Sequence, residues 1–360
     1  MHAFEPEAAF GLAGRTTLGL GGTAQYFAEV SHADELAAAL AWAESRQLPV
    51  TVLGGGSNVV VADQGVRGLV VSVGSTEQVL REHGELVELC AGAGCLWDEI
   101  VAEAVERNWA GLECLSGIPG RVGATPIQNV GAYGQEVADT LHSVEVFDRR
   151  SGAVTELAHA DCRFGYRTSR FKTSDRDRFI VLRVTFRLRA GGAAWVGYPE
   201  IAKRFQQRSP SLREVRSAVL ETRRQKSMLL DPSDENGRSC GSFFLNPELG
   251  APELERLKAR SATSPPFFPQ ADRHFKVPAA WLIEHAGFRR GQRWGAVGIS
   301  SRHSLALVCH EGATSRALVE AAHRVRDGVA SAFGVWLQPE PQFLGFGGPS
   351  DGLPALDNFD

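Results

Sequence analysis

Residues 115–134, LSGIPGRVGATPIQNVGAYG, constrain this chain more than any other stretch. Five glycines and two prolines exclude a helix or a central strand there. An irregular segment of about 20 residues inside a compact protein is either functional or disordered, and disordered segments are rich in charge. Arg121 is the one charged residue here, so the stretch reads as a buried or ligand-lining loop. Gly117, Gly120 and Gly123 recur at three-residue spacing around Pro119, and Gln128-Asn129 stands beside Gly131-Ala132-Tyr133. A large flat ligand needs backbone donors along its edges, small residues against its face and one or two amides. This segment offers all three, and a glycine-rich packing corner is the alternative.

A second glycine cluster, Gly54-Gly55-Gly56-Ser57-Asn58, follows a strand predicted at 51–53. Successive glycines let backbone N–H groups converge on an anion such as a pyrophosphate, and a structural turn explains them equally well. The pattern is neither GxGxxG nor GxxxxGK[ST]. Residues 161–190 carry eight arginines and one lysine against three aspartates, a local +6 within a chain of formal charge −4. Most of these arginines read as a solvated strand face. Arg167, in the turn Gly165-Tyr166-Arg167-Thr168-Ser169, reads as a cleft residue able to grip a carboxylate with two prongs. Ser242, in Ser239-Cys240-Gly241-Ser242-Phe243-Phe244, puts a hydroxyl at the lip of an apolar wall, and a simple turn hydroxyl is the alternative. No GxSxG surrounds it, which excludes a serine-hydrolase elbow. Glu340 is mounted stiffly between Pro339 and Pro341, as a functional carboxylate or as part of a rigid exit from the last helix.

At 360 residues the chain has room for two or three domains of about 150 residues. Hydrophobic residues at 43% and charged residues at 22% are those of a globular protein, and the mild acidity argues against nucleic-acid or membrane partners. MHAFEPEAAF has neither the basic nor the apolar region of a secretion signal, and no apolar run of about 18 residues occurs. These features predict a cytoplasmic protein. Six scattered cysteines without a CxxC pair predict free, mostly buried thiols, and ten histidines without HExxH give no metal site.

Ser31-His-Ala-Asp34 reads as a capping box that opens a helix reaching Gln47. Strands are predicted at 68–73, 86–90, 142–148 and 179–189, and a helix at 96–107 with Trp97, Ile100, Val101, Ala104 and Val105 on one face. Leu212, Val215, Val219 and Thr222 mark the inward side of a helix over 212–226. Pro278 starts a short helix closed by Gly287. Thr314 caps a longer one, with Leu318, Ala322, Val325, Val329 and Phe333 inward and Gly334 at its end. The last dozen residues read as a frayed tail.

GGGSN at 54–58, LSGIPGRVGATPIQNVGAYG at 115–134, CRFGYRTSRFK at 162–172, GSFFLNP at 241–247, KVPAAWLIEHAGF at 276–288 and PEP at 339–341 occur in this order. Together they closely resemble the UDP-N-acetylenolpyruvoylglucosamine reductase family, from about Leu18 to Gly347. Gly197-Tyr198-Pro199-Glu200 is similar to the tyrosine loop of the longer form of that family.

The resemblance implies an α+β fold, with a two-lobed FAD-binding domain of the vanillyl-alcohol-oxidase kind and a smaller α/β substrate-binding domain. Lobe 1 would span 1–75, completed by 334–348; lobe 2 would span 76–225, the third domain 226–333, and a flexible tail 349–360. It implies an NADPH-dependent flavoprotein oxidoreductase, monomeric, that reduces a UDP-sugar enolpyruvyl ether to UDP-N-acetylmuramate. FAD contacts would come from Gly54, Gly55, Gly56, Ser57, Asn58, Ser116, Gly117, Ile118, Pro119, Gly120, Gly123, Ala124, Gln128, Asn129, Ala132 and Tyr133.

Arg167 matches the residue that meets the substrate carboxylate, and Ser242 the proton donor to carbon. Glu340 matches the partner acid, able to donate to a developing enolate if its site raises its pKa. Tyr198 would close over the diphosphate, Lys226 would steady the alkoxide left on serine, and Asn246 and His303 would touch substrate. Thr168 departs from an acidic residue usual in the family. Cys240 stands where alanine is common; its thiol is either a second candidate donor or an apolar filler. A different flavin enzyme sharing only the FAD lobes, and a catalytically silent flavin- or nucleotide-binding module, are the competing readings.

Overall fold

A computed structural model describes residues 4–206 and 208–347. The tail expected at 349–360 lies outside the described residues. The chain divides into two compact units. One comprises Met1–Phe10, Ala24–Gly55 and Arg67–Leu229; the other comprises Gly11–Thr23, Gly56–Val66 and Leu230–Asp360.

Among the described residues the first unit contains two larger sheets and a two-stranded pairing of Gly131–Ala132 with Gln135–Glu136. A four-stranded sheet runs Glu7–Gly11, Thr23–Val30, Val66–Val73, Val50–Val52, and the last pair is parallel, with Val50 opposite Leu69. The helix Ala33–Glu44 buries Leu36, Ala39 and Ala43 in this unit's core. Its start departs from the expected capping box. His32 occupies the cap position and makes no side-chain cap bond, while Glu35 reaches back to accept the Ser31 N–H at 2.7 Å. The helix begins one residue too late for the Ser31 hydroxyl to cap it.

The larger sheet is antiparallel, in the order Ala153–Ala158, Leu141–Asp148, Phe179–Ala190, Leu86–Gly92, Gln78–His83, and Trp109–Ala110 adds to the strand Phe179–Ala190. The helix Trp97–Glu106 packs Trp97, Ile100, Val101, Ala104 and Val105 inward, all with 2% exposure or less. Trp97 lies 5.5 Å from Phe186 of the central strand. Arg183, Arg187 and Arg189 lie on the solvent-facing side of the strand Phe179–Ala190 as expected, and several arginines of the region also hold carboxylates. Arg178 binds Asp148 at 2.8 Å and Asp175 at 3.0 Å, Arg170 binds Asp175 at 2.7 Å, and Arg187 binds Glu88 at 2.9 Å. The Arg178 guanidinium holds the Asp148 carboxyl at about 2.

Among the described residues the second unit is built from short strands and three α-helices. Val59–Val61 pairs in parallel with Gln342–Leu344. Two three-stranded sheets follow, Glu248–Gly250 with His274–Lys276 and Phe268–Pro269, and Arg293–Trp294 with Val297–Ile299 and Leu307–Cys309. The helix Ser315–Phe333 is capped by the Thr314 hydroxyl, which accepts the Ala317 N–H at 3.1 Å, and closes on Gly334 at φ +72°. Leu318, Ala322, Val325, Val329 and Phe333 form its buried stripe. Two further helices, Ala251–Arg260 and Ala279–His285, pack Leu254, Leu257, Leu282 and Ile283 into the same core. No helix among the described residues is long and apolar enough to cross a membrane.

Candidate active site

Within the first unit the two glycine segments pack backbone to backbone. A Cβ added at Gly55 would stand 2.8 Å from the Gly120 Cα, and one at Gly54 would stand 3.5 Å from the Ala124 methyl. The N–H groups of Gly54, Gly55, Ile118 and Gly120 donate to no protein acceptor in the described structure. Backbone donors without an internal partner need water or a ligand. Four of them in two abutting glycine segments suit the acceptor-rich edge of a phosphorylated cofactor.

The rest of the 115–134 segment holds that surface in place. It is buried or half-buried throughout except at Gly134. Gly120 C=O accepts from the Trp97 N–H at 3.0 Å, Val122 N–H donates to Cys95 at 2.9 Å, and Gly123 N–H donates to Ala93 at 3.0 Å. Gly117, at φ +72°, has both backbone groups taken: its N–H donates to Asp98 Oδ1 at 2.6 Å and its C=O accepts from Arg223 Nε at 3.1 Å. Arg216 in turn grips Asp98 with two prongs at 2.6 and 2.9 Å. The Ser116 hydroxyl is committed to the Glu113 carbonyl at 2.6 Å. Asn129 is committed as well, donating to Glu136 at 2.7 Å and Gly165 at 3.1 Å and accepting from Ala138 at 3.0 Å. Pro119, Gln128 and Ala132 are half-buried on this segment.

Arg167 sits in the predicted turn at φ +52°, and its guanidinium donates to the carbonyls of Gly131 and Asn129. The cation expected in a cleft is thus tied directly to the glycine segment. Tyr133 lies edge-on to Tyr198, ring centroids 5.4 Å apart, and burial pushes its hydroxyl up to about 12 despite the nearby Arg223. Lys226 caps the helix Leu212–Gln225, stands 6.0 Å over the Tyr133 ring and pairs with Glu200 at 2.6 Å. Tyr133, Tyr198, Lys226 and Glu200 therefore form one cluster.

The second unit holds the other half of the expected residues. Phe243 C=O accepts the Glu340 N–H at 2.9 Å, and Leu245 N–H donates to Gln338 C=O at 2.9 Å. Phe244 faces Pro339 in the same short antiparallel pairing. Ser242 and Glu340, almost a hundred residues apart in sequence, are neighbours through this pairing, and both are half-buried. Asn58 joins them, its amide donating to the Glu340 carbonyl at 3.4 Å and its own carbonyl accepting the Gln342 N–H at 3.0 Å. Gly56 and Ser57 sit beside Thr17, whose N–H donates to the Gly56 carbonyl at 3.1 Å. Cys240 is buried; burial, then the neighbouring Cys309 and Glu340, push its thiol well above the ordinary range. Asn246 uses its side-chain oxygen to accept the Ala279 N–H at 2.9 Å, which caps the helix Ala279–His285. His303 is half-buried in the turn before Leu307–Cys309.

Sequence reading missed Glu113, Asp98, Arg216 and Arg223, and gave Glu200 no role beyond its place in the tyrosine loop. Glu113 is 1% exposed and accepts from Gly111 N–H at 2.8 Å, Gln135 at 3.0 Å and Trp195 N–H at 2.7 Å. It ties three segments together around the tyrosine cluster. The available signal was that it is the one acid between Glu106 and Glu136.

The FAD binding domain family matches residues 24–158, and the C-terminal domain of UDP-N-acetylenolpyruvoylglucosamine reductase matches residues 231–344. The UDP-N-acetylenolpyruvoylglucosamine reductase of Thermobifida fusca is 46% identical over 345 residues, 93% of this chain and 96% of its own length. That of Salinispora arenicola is 46% identical over 348 residues, 93% and 95% of the two chains. The crystal structure of the Thermus caldophilus enzyme superposes with a TM-score of 0.65 at 26% identity, covering 94% of this chain and 99% of that one. On these grounds the chain belongs to the UDP-N-acetylenolpyruvoylglucosamine reductase family of FAD-dependent oxidoreductases.

Proposed function

We propose that this chain reduces the enolpyruvyl ether of UDP-N-acetylglucosamine enolpyruvate to the lactyl ether of UDP-N-acetylmuramate. NADPH is the hydride source, and the reaction is a cytoplasmic step of peptidoglycan precursor synthesis. FAD bound here would supply the two-electron hydride chemistry that links the nicotinamide to the alkene. The fit of the residues to that cofactor rests on the four partnerless backbone donors of Gly54, Gly55, Ile118 and Gly120. In this reading those donors meet the cofactor's diphosphate, and the small surface at Gly54 and Ala124 lets it approach.

Hydride arriving at the terminal alkene carbon leaves negative charge on the carbon next to the carboxylate. Fixed donors already in place lower the barrier most, because they need no reorganisation as the charge develops. Arg167 serves the carboxylate as a cationic fork. Glu340, when protonated, donates to the developing enolate. Ser242 then delivers a proton to the carbon. A serine hydroxyl is a weak acid, but an α-carboxy carbanion is a strong base, so positioning counts for more than acidity. Tyr198 covers the sugar-nucleotide diphosphate; Lys226, expected to steady the serine alkoxide, clusters with Tyr133 and Tyr198, and this reading gives its ammonium to the diphosphate instead.

The observation that supports the reading is the antiparallel pairing of 243–245 with 338–340, which brings the backbone next to Ser242 alongside that of Glu340 from remote parts of the chain. The test separates the two half-reactions of the Ser242→Ala variant by stopped flow. NADPH should bleach the flavin at the unaltered rate, while recolouring by the enolpyruvyl nucleotide should slow by two orders of magnitude or more, on the order of a lost transition-state donor. Equal rates in both halves for variant and parent would remove the hydroxyl from the mechanism.

A further inference from the structure

Lys226 is already engaged. Its Nζ lies 2.6 Å from Glu200 Oε2, and both side chains keep access to solvent, 33% exposed for the lysine and 41% for the glutamate. Glu200 reaches it because of where it stands in the chain. Tyr198 caps a single helical turn, Pro199–Ala202, with Pro199 in its first position and Glu200 next. Ile201 and Phe205 anchor this turn in an apolar cluster with Val215, Ala218 and Val219 of the helix that ends at Lys226. The same turn therefore presents a tyrosine and an acid, and the acid sits on the cation beside the tyrosine pair.

An exposed ion pair of this kind adds little to stability, so folding alone gives it small purpose. Its effect on binding is direct, because a carboxylate on an ammonium competes with any other anion for it. We propose that Glu200 is the resting counterion of Lys226, which an incoming diphosphate displaces, so that this residue sets the affinity with which the sugar nucleotide is captured. The proposal rests on the reading that Lys226 meets the diphosphate. Because the pair is solvated, the exchange is cheap, and its influence on affinity is limited to about two- to five-fold.

The experiment titrates the FAD-loaded protein at low ionic strength with UDP, and with uridine as an uncharged control, for the parent, Glu200→Gln, Lys226→Met and the double variant. Glu200→Gln should tighten UDP by about two- to five-fold and leave uridine unchanged. Lys226→Met should weaken UDP, and in its background Glu200→Gln should have no effect. If Lys226→Met weakens UDP while Glu200→Gln leaves it unchanged or weakens it, the counterion role is overturned and the diphosphate contact stands. A Glu200→Gln gain that persists without Lys226 also overturns it. If Lys226→Met leaves UDP binding untouched, the diphosphate reading fails and the proposal falls with it.

Discussion

Cys240 and Ser242 show what a single residue's surroundings decide. By intrinsic acidity the thiol is the better proton donor, with a reference value near 8.5, and sequence alone leaves it in contention. The fold reverses that order. Cys240 is 7% exposed, and its thiol is driven upward by burial and by the adjacent Cys309 and Glu340. A buried group with a raised pKa behaves as a small apolar side chain. Cys240→Ala should therefore leave both half-reactions within about two-fold of the parent, since the site loses no donor and little volume. A recolouring rate that collapsed in this variant, measured beside Ser242→Ala, would make the thiol the donor. Arg167 drew notice in the sequence for the opposite reason. A glycine-flanked arginine in a charge-dense strand region stood out, and its left-handed backbone at φ +52° aims the guanidinium at the Gly131 and Asn129 carbonyls. Strained backbone of this kind concentrates at functional sites.

At the scale of elements, helices with an apolar stripe were readable and exposed strands were not. The helices Trp97–Glu106 and Ser315–Phe333 bury the residues their periodicity marks. The strands Gln78–His83 and Ala153–Ala158 are exposed almost throughout, so no alternation of apolar and polar residues announces them. They exist because Leu86–Gly92 and Leu141–Asp148 offer them hydrogen-bonding partners. Glycine segments were readable as unusual, but the pairing of Gly55 with Gly120 was not, because backbone contact between remote segments leaves no mark on either. That pairing makes a prediction. Gly55→Ala puts a methyl 2.8 Å from the Gly120 Cα, and backbone on that side cannot yield as a flexible side chain would. The two segments must separate and their free donors with them. Purified Gly55→Ala should hold FAD at least about ten-fold more weakly, roughly the loss of one or two well-made hydrogen bonds. Fluorescence titration of the apoprotein with FAD measures this directly, and an unchanged dissociation constant would mean that the abutting donors do not hold the cofactor.

Across the whole molecule, the unit that carries Ser242 and Glu340 is not continuous in the chain. The C-terminal family match ends at residues 231 and 344, yet the core of this unit includes Leu18, Leu20 and Val60, each 4% exposed or less. Val59–Val61 supplies the partner strand for Gln342–Leu344. Asp63 accepts the Ser315 and Arg316 N–H groups at 2.7 and 3.0 Å, where the helix Ser315–Phe333 leaves its first donors open. Arg238 donates to the Leu18 and Gly19 carbonyls at 3.1 Å each. Burial of a large aliphatic side chain contributes about 1.5–3 kcal/mol, so the three core residues alone contribute roughly 5–9 kcal/mol. That is comparable to the entire stability of a typical domain, about 5–15 kcal/mol. Residues 230–347 expressed alone should therefore fail to form a cooperative native state, although family boundaries present them as a domain. Calorimetry of that segment should show no sharp transition, and a hydrophobic dye should bind it far more than it binds the intact protein. A single two-state unfolding peak would mean that the segments 11–23 and 56–66 only decorate a core that closes without them.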